Sequence, residues 1–232
     1  MATRNPLVVL ALLSLAIAAA PACSPMAPKP TQLTANLVDP LTVNAVSMFN
    51  SCVGHPYPST NSPNSGKNYF WANSTNYGTN DQLKEYAVCS GTLDQTNADT
   101  NDPQEFVRGE SVHLFCDHSS TALRYFHLNL AASLLGHHVN SGDFLGYGAM
   151  AEAGQPPSGS WQNSPSIDIA VSEGDDTHTE DYFAKLDGPS FAAWSVRGVT
   201  ALSQTINPGN PTCSTWSAYI GDRDILSFSP IR

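Results

Sequence analysis

The chain has 232 residues, of which only 13% are Asp, Glu, Lys or Arg, and its formal net charge at pH 7 is −10. That acidic balance argues against nucleic acid as a partner and against electrostatic capture by an anionic membrane or wall polymer. Asn, Ser, Thr, Gly and Pro fill the polar positions instead, and the acidity itself serves solubility outside the cytoplasm.

Residues 1–22 read as an export signal. Arg4 supplies a positive start, residues 7–20 are an apolar run, and Ala20-Pro21-Ala22 places small residues before Cys23. The run is short for a membrane span, and no later segment is long and apolar enough to cross a bilayer. Two processing outcomes fit: cleavage after the A-x-A site with free secretion, or a lipoprotein signal in which Cys23 becomes the lipidated N-terminus. Cysteine parity favours the second. Of the five cysteines, lipidation of Cys23 leaves Cys52, Cys89, Cys116 and Cys213, enough for two disulfides in an oxidising compartment. Cys89 and Cys116 lie in strand-like segments able to be neighbours, which leaves Cys52 with Cys213. The expected location is the periplasm or outer membrane, with secretion as the alternative, and any membrane contact is through the lipid anchor alone.

Residues 23–45 read as a flexible tether, because from Ser24 to about Pro40 the chain is Pro/Thr/Ala-rich and aperiodic. Residues 46–232 then form a single β domain, and about 210 mature residues suit one real hydrophobic core. Residues 56–80, crowded with Ser, Asn, Pro and Gly, read as a long surface loop. Within it, Tyr69-Phe70-Trp71 reads as packing under the loop in preference to a sugar-stacking platform. Residues 85–93 read as one strand bent at Gly91. In 111–116, Val112, Leu114 and Cys116 alternate against His113 and Phe115, the pattern of a half-buried strand. Residues 122–128 read as another strand, and 139–146 as strand, tight turn and strand, with Gly142 available for positive φ. A Gly/Pro/Ser loop follows at 149–165, then a short apolar strand at 167–171. Residues 173–187 are acidic and polar, 183–196 suit a short helix, and 213–220 a last ordered segment. There is no internal repeat and no heptad pattern. Many short strands beside one helix predict a mainly β sandwich or barrel.

Three blocks carry the chemistry: Gly54-His55-Pro56-Tyr57-Pro58-Ser59, Tyr125-Phe126-His127-Leu128, and Ser166-Ile167-Asp168-Ile169-Ala170-Val171. Residues i, i+2 and i+4 of a strand share one face, so His55 with Ser59, and Ser166 with Asp168, are set to point the same way. Asp168 between two isoleucines needs a partner, because an unpaired buried charge is costly; a metal, His55 or a backbone turn would each serve.

In order and spacing, with the Val139–Gly146 turn between the second and third, these blocks resemble the lysostaphin-type zinc metalloendopeptidases, which cut peptide cross-links in peptidoglycan. The resemblance covers residues 49–172 and leaves 173–232 as a C-terminal extension. It implies an antiparallel β-sandwich or barrel-sandwich hybrid with long loops and little helix. It also implies a zinc ion on three protein ligands, with an open position for a water whose pKa falls to about 7. His55 matches the first ligand and His127 a catalytic histidine. Ser59 stands where an aspartate ligand belongs, Ser166 at the other catalytic histidine, and Asp168 at the third ligand. Carboxylate oxygen is a fair zinc ligand and a neutral serine hydroxyl a poor one, so the expected zinc site is weak or absent.

The expected function is therefore a degenerate, non-catalytic module that binds peptidoglycan or another envelope component. An active endopeptidase with a rearranged site on His55, His127 and Asp168 is the alternative, and an unrelated disulfide-stapled β-sandwich binding module is the third reading. Other chemistry has little support, because the chain lacks a G-x-S-x-G elbow and a phosphate-binding Gly-rich loop. His113 and His118 match no zinc spacing, while His137, His138 and His178 read as loop histidines. Asp175, Asp176, Glu180 and Asp181 read as a solvated acidic loop.

Overall fold

The computed structural model describes residues 32–54, 66–73, 82–94, 111–148, 166–174, 178–209, 213 and 224–228. Its strands are β1 (Val43–Ser47), β2 (Asn68–Ala72), β3 (Lys84–Tyr86), β4 (Gly91–Asp94), β5 (Ser111–Cys116) and β6 (Thr121–Phe126). They continue with β7 (Leu128–Leu130), β8 (His138–Val139), β9 (Phe144–Gly148), β10 (Ser166–Glu173), β11 (Thr179–Glu180) and β12 (Ile225–Ser227). The protein is mainly β, and all paired strands are antiparallel.

The main sheet runs β12-β1-β2-β10-β6-β5-β4-β8, with β11 added beside β10, and a smaller sheet runs β3-β9-β7. Period-2 alternation sets its faces. Val112, Leu114, Leu123, Tyr125, Ile167, Ile169 and Val171 are all buried in one core cluster. Register locks them side by side, with Val112 opposite Tyr125 and Leu114 opposite Leu123. The opposite face carries His113, Phe115, Arg124, Phe126 and Asp168. A second, smaller cluster forms from Ala45, Val53, Tyr69, Trp71 and Ile225.

Several sequence expectations are corrected. The tether does not extend across 32–45. Leu33, Leu37, Val38 and Val43 are fully buried, and β1 is a full member of the main sheet. This segment lacks periodicity because individual contacts hold it. Trp194 Nε1 donates to Asn36 Oδ1 (2.8 Å), Tyr182 OH accepts from the Leu37 amide (2.8 Å), and Arg197 Nε donates to the Pro40 carbonyl (2.8 Å). Within the expected 56–80 loop, Tyr69-Phe70-Trp71 belongs to β2, which lies between β1 and β10. All five β2 residues are buried, so it shows no alternation. The single strand expected at 85–93 is two, β3 in the small sheet and β4 in the main one. At Gly91 the backbone of β5 comes so close that a Cβ would lie 2.0 Å from the Phe115 carbonyl oxygen.

The strand expected at 122–128 breaks at His127. Its φ of +60° turns the chain out of β6 in the main sheet and into β7 in the small one. The 139–146 turn is present, with Gly142 at φ +86° and the Asn140 amide donating to Asp143 Oδ2 (2.8 Å). It too passes the chain between sheets, because β8 pairs with β4 and β9 with β3 and β7.

The segment after Glu173 folds onto the same core. Two short helices, α1 (Tyr182–Lys185) and α2 (Gly188–Ala192), and a 3-10 turn (Ala193–Arg197) replace the one helix expected at 183–196. Phe70 of β2 contacts Tyr182 edge-on at 5.5 Å and Phe183 at 6.1 Å, and Phe183 meets Trp194 at 5.1 Å. Asp181 is not part of a solvated acidic loop, and Glu180, though exposed, belongs to β11. Glu180 pairs with Lys185 at 2.6 Å, and Asp181 is a buried N-cap whose carboxylate accepts from the Phe183 amide and Thr205 Oγ1. Asp175, Asp176 and 214–220 lie outside the described residues. Disulfides join Cys52 to Cys213 and Cys89 to Cys116. Among the described residues, no helix is long and apolar enough to cross a membrane.

Candidate functional site

Asp168 sits mid-strand in β10, flanked by Tyr69 of β2 on one side and Phe126 of β6 on the other. With Ile167 and Ile169 committed to the core, the pleat sends its carboxylate to the opposite face, where it is 2% exposed. Its partner is Lys67, immediately before β2. Lys67 Nζ lies 2.8 Å from Asp168 Oδ2, and the lysine is equally buried. The ammonium also stands 3.4 Å from the centre of the Phe126 ring, and the Arg124 guanidinium stacks on that ring at 5.0 Å. Phe126 thus spreads its π-face to two cations, a contact that gains strength away from water. Burial lowers the Lys67 pKa, and the Asp168 charge and hydrogen bond pull it partly back.

His127 reaches the same carboxylate. Its left-handed backbone sets Nε2 3.5 Å from Asp168 Oδ1, while Nδ1 is buried without a hydrogen-bond partner among the described residues. At that separation the contact is longer than an ordinary hydrogen bond. Glu85 of β3 completes the electrostatics. It is fully buried, neither carboxyl oxygen has a partner among the described residues, and burial together with the Asp168 charge pushes its pKa well up. Burial thus favours the protonated form of Glu85, while the Lys67 ammonium faces Asp168. Ser166 shares the Asp168 face one pleat away, opposite Trp71, and is half-buried. His55, Ser59 and Cys23 lie outside the described residues.

Among the described residues, the charges around Asp168 do not favour a zinc ion. Two ligands of a tetrahedral zinc at about 2.0–2.1 Å stand about 3.3 Å apart, so the His127–Asp168 spacing by itself suits a shared ion. Lys67 is the obstacle. Its ammonium already holds Asp168 Oδ2, and a divalent cation placed on that carboxylate would meet a positive charge in a site with little water to screen it. Among the described residues, no three His, Cys, Asp or Glu side chains converge as a metal group.

No protein-family model matches the chain, and no curated protein matches it. Solved structures do resemble it. Pseudoalterin, an M23 metalloprotease from the deep sea, is 18% identical with a TM-score of 0.39, over 66% of this chain and 75% of that one. Lysostaphin, the antimicrobial peptidase from Staphylococcus simulans, is 13% identical with a TM-score of 0.42, over 77% of this chain and 62% of that one. A chain of the SpoIIQ–SpoIIIAH pore-forming complex is 14% identical with a TM-score of 0.43, over 68% of this chain and 93% of that one.

Sequence reasoning found His127 and Asp168, and the structure brings them together. It missed Lys67, Glu85 and Arg124. Lys67 stands in a Ser/Asn/Gly-rich run that reads as solvated, and only the lateral pairing of β2 with β10 reveals its partner. Glu85 carried one available signal, an acidic residue inside a short strand-like stretch, which for a buried position requires a partner or a proton. His113, on the same sheet face, has its ring 5.9 Å from Phe115 in an edge-on contact. His138 Nε2 pairs with Asp117 Oδ2 at 2.8 Å, near the surface.

Proposed function

We propose that the chain is an exported envelope module on a lysostaphin-type scaffold, which binds peptidoglycan or another envelope component without cutting it. The Lys67–Asp168 pair carries this reading. The carboxylate that the sequence resemblance assigns to a metal is neutralised by an internal ammonium, in a chain that already has Ser59 and Ser166 where a ligand and a catalytic histidine belong. A lysine supplies the positive charge that keeps Asp168 buried, but it offers no open coordination position at which water is activated. The two disulfides suit an oxidising compartment.

The test is to purify the mature, disulfide-bonded chain, measure its metal content and incubate it with isolated peptidoglycan. The expected result is less than stoichiometric zinc, co-sedimentation with the sacculi and no release of new amino groups. Stoichiometric zinc together with peptide-bond cleavage overturns the reading.

A second reading, an active endopeptidase on His55, His127 and Asp168, is favoured by one observation, the 3.5 Å between His127 Nε2 and Asp168 Oδ1. It requires Lys67 to leave the carboxylate, and it predicts bound zinc that is lost on Asp168→Ala.

A further inference from the structure

Lys67 and Asp168 are held as reactants are held, and not only as opposite charges. Lys67 lies two residues before Tyr69, the cross-strand partner of Asp168, so the two residues are diagonal neighbours on one face. Nζ stands 2.8 Å from Oδ2, and both side chains are 2% exposed. The carboxyl carbon is one bond beyond that oxygen, so the amine stands beside the atom it would attack, fixed there by paired strands. The Phe126 ring shields Nζ at 3.4 Å and the Tyr69 ring at 5.9 Å. Two charges kept from water in this way are costly. Passing one proton from the ammonium to the carboxylate removes both and leaves an amine nucleophile against a carboxylic acid.

Glu85 supplies what the pair lacks. It is fully buried, both its carboxyl oxygens are without a hydrogen-bond partner among the described residues, and it stands close enough to Asp168 to feel its charge. A buried carboxyl left unsatisfied costs stability and calls for a reason. Carrying a proton, it can give that proton to an oxygen of Asp168 and recover one from the nitrogen, the work of a general acid and base. His127 marks the way out. Its Nε2 is 3.5 Å from Oδ1 and its side chain is 32% exposed, so a water released at Oδ1 has a route to solvent.

We infer that Lys67 and Asp168 condense into an internal amide, a covalent cross-link between the residue before β2 and the middle of β10, with Glu85 relaying the proton. The Nζ–Cγ bond forms and one Cγ–O bond breaks. The ammonium and carboxylate together give up one oxygen and two hydrogens as water, and the nitrogen keeps its last hydrogen. Glu85 ends with the proton count it began with, nothing is oxidised or reduced, and no outside reactant enters. The pair of separate side chains is the state before condensation. The cross-link stands whether or not the chain binds an envelope component.

The experiment weighs the folded, mature chain after reduction of its disulfides, then digests it with trypsin and sequences the fragments. The expected mass is about 18 Da below that of the sequence, the mass of one water. The loss should map to a branched peptide joining Lys67 to Asp168, with no cleavage after Lys67. Asp168→Ala and Lys67→Arg should each restore the full mass. Glu85→Gln should keep the two charges paired and uncondensed, the form in which the strength of the ion pair itself is measured. Full mass in the wild-type chain after days at 37 °C overturns the inference, whether or not any variant folds. So does a loss of water that maps elsewhere, such as cyclisation at Asp187-Gly188. Condensation at an undiminished rate in Glu85→Gln overturns the relay.

Discussion

Lys67 and Asp168 meet on a sheet face from which water is nearly excluded, so each is costly without the other. Removing one partner of such a pair destabilises by about 3–5 kcal/mol because the remaining charge is stranded, whereas replacing both with apolar groups of similar volume is far milder. Lys67→Met should accordingly lower unfolding stability by about that amount. Lys67→Met combined with Asp168→Leu should recover most of it. Chemical denaturation of the four proteins of the cycle checks this, and additive effects of the two changes would refute the coupling. Asp168 was legible in the sequence because a carboxylate between two isoleucines announces a missing partner. The partner itself was not legible. A lysine after Ser65 and Gly66 looks like any solvated loop lysine until β2 is laid beside β10, and nothing local encodes that neighbour.

At the level of elements, alternation was readable wherever only one face of a strand is buried in the core. β5 and β6 show it, with β5 at its expected residues and β6 ending before the expected 128. It failed where both faces are covered, as in β2, and where a strand crosses between sheets within a few residues, as around Gly91 and His127. The helical segment shows another limit. Asp181 looked like surface acid, yet it caps α1 from a buried position, and its pKa is raised to about 6, by burial first and against the opposing hydrogen bonds from Thr205, Phe183, Asn68 and Ala184. Because the folded pKa lies above the unfolded one, the folded chain holds this proton more tightly. Its contribution is fully present below about pH 4 and fades as pH rises through about 6. Asp181→Asn keeps an acceptor for the helix cap and removes the charge. We expect it to stabilise the protein by about 1–2 kcal/mol at pH 7.5, less than the full linkage value because one acceptor is lost, and to change little at pH 4. Urea melts at the two pH values decide it; an equal effect at both would assign the change to capping alone.

Over the whole molecule, the expectation of a mainly β fold holds, and the four cysteines pair as expected, Cys89 with Cys116 and Cys52 with Cys213. The two bridges constrain very different lengths of chain. Cys89–Cys116 spans 27 residues and Cys52–Cys213 spans 161. By loop-closure entropy they are worth about 3.5 and about 5 kcal/mol. Replacing Cys52 and Cys213 together with alanine should therefore cost more than replacing Cys89 and Cys116, as read by the shift in denaturation midpoint. The reverse order would mean that strain or residual unfolded structure dominates. What the sequence hid at this scale is that residues 32–45 and 178–209 are one packing unit. Both are pinned by single contacts such as Asn36 to Trp194 and Pro40 to Arg197, which leave no period to read.

The pairing of β1 with β12 has a consequence for how the protein is made. Ala45 lies opposite Ser227, so β1 waits for a strand far downstream in the chain before this edge is closed. Contacts that distant in sequence form late and slowly. Until residues 225–227 are in place, the bare edge of β1 is where a neighbouring chain would add on by mistake.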